Sequence, residues 1–151
     1  MLRLSTGLRS AMMYDGGIIS MFNRGRIYVY GNTPPLTADE PPGASPLAII
    51  SEEGVTPTPG GAVAGGLQFF FAGDAYITHY GNWVLKGLGT GSPVWWRLQW
   101  YPPDDDSFSF YYPRMDGTVG ESLFQIPDAV IPDTEVQNCE FHLHFTQAAG
   151  G

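Results

Sequence analysis

The chain has one cysteine, Cys139, which excludes an intramolecular disulfide and any cysteine-based metal knuckle. A lone thiol fits assembly in a reducing cytoplasm. No apolar run approaches the roughly 18 residues of a membrane span. The opening MLRLSTGLRSAMM lacks the apolar stretch of about 7–15 residues that marks a signal peptide. A cytosolic protein with no membrane partner is therefore expected. Charge is scarce too, at 15% of residues, and Lys and Arg number 7 against 15 Asp and Glu. The net charge of −8 argues against a nucleic-acid partner, because phosphate binding needs clustered cations.

What is plentiful points one way. The 151 residues include 20 glycines, 13 prolines and 14% aromatics. Many turn-formers, many rings and little charge suggest one all-β domain large enough to bury a core. Charge is unevenly spread. Residues 1–26 carry Arg3, Arg9, Arg24 and Arg26 against Asp15, which is +3; residues 27–151 carry Lys86, Arg97 and Arg114 against fourteen acids, which is −11. A basic leader on an acidic body either lies on that body or docks onto an acidic partner.

LSTGLRSAMM reads as a short helix with Ser5 or Thr6 as N-cap, and IISMFNRG as a second one closed by Gly25. Strands are expected at RIYVYG (26–31), LAIIS (47–51), LQFFF (67–71), AYITHY (75–80), NWVLKGL (82–88), VWWRLQWY (94–101), SFSFYY (107–112) and TEVQNCEFHLHF (134–145). The proline-rich stretch 31–46 is expected to be an extended surface loop, and residues 52–66 a second loop. In the aromatic strand, Val94, Trp96, Leu98 and Trp100 form a dry face, while Trp95, Arg97, Gln99 and Tyr101 form one that can be wet. In the last strand, Cys139, Phe141, Leu143 and Phe145 share one face, and Asn138, Glu140, His142 and His144 the other.

Little of this carries chemistry. His142 and His144 have a metal-compatible i, i+2 spacing, but only His79 and carboxylates could complete a site, and solvated histidines are the expectation. The run Asp104-Asp105-Asp106 lacks the calcium-loop spacing and the opposed placement of a glycosidase pair, so a solubilising turn is expected. GLGTGS (87–92) is followed by a strand and reads as a turn, not a phosphate loop. No catalytic, cofactor-binding or metal-binding residue is assigned, and no enzyme or cofactor is expected.

Three collinear stretches carry a resemblance. LSTGLRSAMM with FNRGRIYVYGNTPPLTAD, then GTGSPVWWRLQ, then PRMDGTVGES leading into CEFHLHF together resemble a family of small bacteriophage and prophage virion proteins, over most of the chain. That family is similar to head decoration, or cement, proteins with a jelly-roll fold. The resemblance implies a jelly-roll-like β-sandwich, a partner in the major capsid protein of the head, a place on the outer surface of the virion after assembly in the host cytoplasm, and no enzymatic activity. The long proline-rich loop and the aromatic middle depart from the family pattern.

The combined expectation is a helical leader and anchor over 1–26 followed by one sandwich domain over 27–151. Partner contacts are expected from Leu2, Arg3, Leu4, Leu8, Arg9, Arg24 and Arg26 in the leader. Trp95, Tyr101 and Tyr111 are expected to hold a homo-oligomer, dimer or trimer, because contiguous exposed rings usually mark contacts. The alternatives are a tail, neck or baseplate component, and a carbohydrate-binding module that stacks sugars on the same three rings.

Overall fold

A computed structural model describes residues 1–55, 65–100 and 104–145. They form an all-β sandwich of two antiparallel sheets with two short helices near the N-terminus. In chain order the elements are β1 (Leu2–Leu4), α1 (Thr6–Tyr14), α2 (Ile18–Phe22), β2 (Arg26–Tyr30), β3 (Ala48–Glu52), β4 (Gln68–Gly73), β5 (Tyr76–Tyr80), β6 (Trp83–Gly87), β7 (Trp95–Gln99), β8 (Arg114–Thr118), β9 (Leu123–Phe124), β10 (Glu135–Val136) and β11 (Glu140–His144). The larger sheet runs β1-β8-β7-β2-β3-β6-β10, and the smaller runs β4-β5-β11-β9.

The core lies between the sheets, where period-2 alternation puts every second side chain. Ile27, Val29, Ile50, Leu85, Trp96, Leu98 and Met115 enter it from the large sheet, and Phe69, Ile77, Leu123, Phe141 and Leu143 from the small one. Phe141 joins them, with its ring centroid 5.6 Å from Trp83 and 5.4 Å from Trp96. Trp96 lies over Gly117, its partner on β8; a Cβ there would sit 2.2 Å from the indole. The small residue lets the large ring cross the neighbouring strand.

Several expectations change here. Residues 1–26 are not a detachable leader. β1 pairs with β8 through Leu2↔Gly117, Arg3↔Asp116 and Leu4↔Met115, and Leu8 is wholly buried in the core. Ser5 ties the segment down. Its Oγ accepts from Leu8 N (3.0 Å) as the helix cap and from Arg114 N (2.9 Å), and donates to the Tyr112 carbonyl (2.8 Å). Residues 107–112 form no strand, because serine and aspartate side chains take up the backbone donors locally. Asp105 Oδ1 accepts from Ser107 N, and Ser109 Oγ accepts from Tyr111 N and Tyr112 N. The strand after them is β8, whose RMDGT reads poorly as one. The segment 134–145 is split in two, with Asn138 in left-handed backbone (φ 62°) at the break.

Candidate functional site

The large sheet is covered on both faces. Away from the sandwich core, β2, β7 and β8 present Tyr30, Trp95, Arg97, Gln99, Arg114 and Asp116, all with no measurable exposure. The cover is made of loops. Arg97 donates to both Asp116 carboxylate oxygens, at 2.8 Å each, and through Nη1 to the Glu40 carbonyl at 2.9 Å. Arg114 donates to both Asp104 oxygens (2.6 and 2.5 Å) and to the carbonyls of Asp39 (3.2 Å) and Ser107 (2.8 Å). Two guanidinium groups thereby hold the segments around residues 39–40 and 104–107 against the sheet. Planar, five-donor Arg suits this clamp, since each can pair a carboxylate in bidentate fashion and still reach carbonyls. Asp39 closes the ring by accepting from Thr6 N and Thr6 Oγ1, both at 2.7 Å.

Inside this layer charge cancels: Arg26, Arg97 and Arg114 are buried beside Asp39, Asp104 and Asp116. Burial pushes the Asp116 carboxyl above its ordinary value, with Arg97 pulling it back. Burial also raises Asp106, and the neighbouring Asp104 charge adds to that. Asp106 stays anchored by Gln99 Nε2, which donates to it at 2.5 Å. The carboxylates of 104–106 are therefore not a solubilising turn. Two of the three are structural partners of buried groups, and Asp105 alone is exposed.

Trp95 corrects the largest expectation. Its ring is buried, stacked on Tyr30 at 4.4 Å and 16°, and its Nε1 donates to Asn32 Oδ1 at 3.1 Å. It is closed to a partner or a sugar by the proline-rich loop 31–46, which folds onto the sheet instead of standing away from it. Tyr101 lies outside the described residues. Tyr111 is 87% exposed. Among the leader residues, Leu8 and Arg26 are buried and unavailable to a partner, and Arg26 Nε donates to Gln99 Oε1 at 3.1 Å. Leu2, Arg9 and Arg24 are exposed, and Arg3 and Leu4 are half-buried.

What stays open is a groove of about 790 Å³ between α1 and the segment before β8, lined by Thr6, Gly7, Ser10, Ala11, Tyr14, Asp15, Ser20, Met21, Trp100, Phe110, Tyr111 and Pro113. Gly7 lets the helix approach, since a Cβ there would sit 2.4 Å from the Tyr111 carbonyl oxygen. Tyr14, 86% exposed, and half-exposed Phe110 join Tyr111 beside this groove. Periodicity missed Tyr14 and Phe110. Tyr14 ends a helix whose last turn also exposes Met12 and Met13, so it does not stand out by spacing, and Phe110 lies where alternation predicts a strand that does not form.

A second aromatic surface lies on the outer side of the small sheet, where Phe70, Tyr76 and Tyr80 are exposed. The histidines lie around it. The Tyr76 ring stacks on His144 at 4.7 Å, and His142 lies 5.8 Å from His79. His79 Nδ1 accepts from Phe141 N at 3.2 Å. Among the described residues no group of three or more His, Cys, Asp or Glu is arranged to hold a metal. The Cys139 thiol is buried, and burial raises its pKa to about 11, so it is a poor nucleophile.

Comparison with protein-family models, with curated proteins and with solved structures finds no match.

Proposed function

We propose that this chain is a structural protein of a bacteriophage virion, a decoration or cement protein that binds the head shell and stabilises it. The observation that carries the reading is the groove beside α1, with Tyr14, Phe110 and Tyr111 open to solvent around it. Rings of this kind are enriched at the centres of protein interfaces. A sandwich in which Arg97 and Arg114 hold the loops against the sheet is a rigid platform for such a contact. The acidic surface suits the outside of a shell better than its DNA-filled interior. The resemblance of the three sequence stretches to small virion proteins points the same way, with the major capsid protein as partner.

Localisation tests this. Cryo-EM of particles assembled with the chain should place it on the outer head surface with the α1 groove against the capsid protein. Tyr111→Ala should lower its occupancy on shells without unfolding it. Density in the tail, neck or baseplate would move the protein there. A second reading, a carbohydrate-binding module, draws on exposed Tyr14 and Tyr111 beside Asp15 and Ser10, a mixture of flat rings and hydroxyl-binding groups. Binding on a glycan array, lost in Tyr111→Ala, would favour it.

A further inference from the structure

We infer that copies of this chain associate head to tail through the two open edges of the large sheet, β1 of one copy meeting β10 of the next. Both strands end the seven-stranded order, and among the described residues neither has a neighbour on its outer side. Alternation in antiparallel pairs sends every second residue's backbone groups outward. Ser5 N donates to the Arg114 carbonyl and Thr118 N to that of Met1, which places the outward N–H and C=O groups of β1 at Leu2 and Leu4. On β10, Gly87 N donates to the Thr134 carbonyl, which leaves Glu135 facing out. Unpaired edges of this sort are templates for another strand unless they are blocked.

The two edges are unlike, and they are complementary. Beside β1, Arg3 and Arg9 line a small groove of about 250 Å³ with Leu4 and Leu36, and Leu36 is 82% exposed. The acids nearby are already engaged: Asp39 by Thr6, and Glu121 by the N-terminal amine. Beside β10 stand Asp133 and Glu135, both exposed, with Glu53 in the turn after β3; among the described residues Lys86, opposite Glu135, is the one cation there. Ile131, 57% exposed, supplies an apolar contact. Cation and aliphatic on one edge therefore meet carboxylate and aliphatic on the other. Two different patches make a heterologous contact, which closes into a ring or runs on as a filament according to the rotation it imposes. The strands are short, so the contact falls below about 1,200 Å², the size of weak interfaces. Association is expected on the order of 10–100 µM.

This does not rest on the virion reading, since it concerns the chain alone and leaves the α1 groove free. Sedimentation velocity of the whole chain over a concentration series tests it. Wild type should move from monomer to larger species. Arg3→Glu/Arg9→Glu and Asp133→Lys/Glu135→Lys should each weaken assembly on the order of a hundredfold, because like charges then oppose across the contact. Mixed one to one, the two variants offer two complementary pairs of edges, arginine against carboxylate and glutamate against lysine, and should recover assembly beyond the dimer by alternating. Thermal unfolding checks that each variant is folded. Arg9→Glu alone, at an exposed site, replaces the first variant if losing the Arg3 bond to the Pro35 carbonyl unfolds it. A wild type that stays monomeric, variants that assemble as wild type does, or a mixture that stays monomeric would each overturn the inference.

Discussion

The two faces of β7 are both closed to water, and they are closed by opposite means. Trp96 and Leu98 point into an apolar core between the sheets, where the hydrophobic effect supplies the gain. Trp95, Arg97 and Gln99 point into a polar layer under loops, where every guanidinium nitrogen of Arg97 has a partner. Each face still buries one polar atom without a hydrogen bond, Trp96 Nε1 on the first and Tyr30 Oη on the second. An apolar–polar alternation therefore identifies which residues share a face without saying whether that face is wet.

Mutations should separate the two. Trp96→Ala should cost about 3–5 kcal/mol in urea titration, the usual loss for a large aromatic in a core. Gly117→Ala attacks the same contact from the other side and should destabilise even though it only adds a methyl. On the polar face, Asp116→Ala should cost a similar amount, about 3–5 kcal/mol, because it strands a buried Arg97. The double change Arg97→Met/Asp116→Leu should recover most of that loss, since a well-packed apolar pair can replace a buried ion pair. No such rescue is expected from any polar pair at Trp96 and Gly117.

Ser5→Ala should cost about 1–2 kcal/mol by thermal unfolding, the upper range for a helix cap, because the same oxygen also serves Arg114 N. The pH dependence is smaller. Asp106 and Asp116 have carboxyls raised above 3.8 mainly by burial. Between 3.8 and those raised values the folded chain holds protons that the unfolded chain has released. Their contribution to stability is therefore larger on the acid side and falls as pH rises through that window. The unfolding midpoint should rise as pH is lowered through that window, and Asp106→Asn should flatten the rise. Asp105, lowered by hydrogen bonds from Ser107, acts the other way but is fully exposed. The smallest effect is Tyr111→Ala, within about 0.5 kcal/mol in the isolated chain.

These residues also mark what the sequence could tell. Alternation located β2 to β7 and the core residues of β11, because each of those strands has one face in the apolar core. It missed β1, β8 and the two-residue β9. β1 is three residues long, and β8 places Arg114, Asp116 and Gly117 in a strand whose polar side is buried by contacts across the fold. Arg114 meets Asp104 ten residues away, and Arg97 meets Asp116 nineteen away. No local spacing announces such pairs. The same gap hid the groove: Tyr111 was visible as a candidate, but its neighbour Tyr14 comes from α1, brought there by the bonds of Ser5. Nothing in 31–46 announces that Asn32 will reach the Trp95 indole, so alternation alone leaves that face open.

Tryptophan fluorescence of the Trp100→Phe variant tests the central claim most directly. The three remaining indoles, Trp83, Trp95 and Trp96, include one from each face of β7, and all are fully buried. A single blue-shifted emission that resists acrylamide is predicted. A red-shifted, readily quenched component would contradict it, by showing that the polar face of β7 is open to solvent.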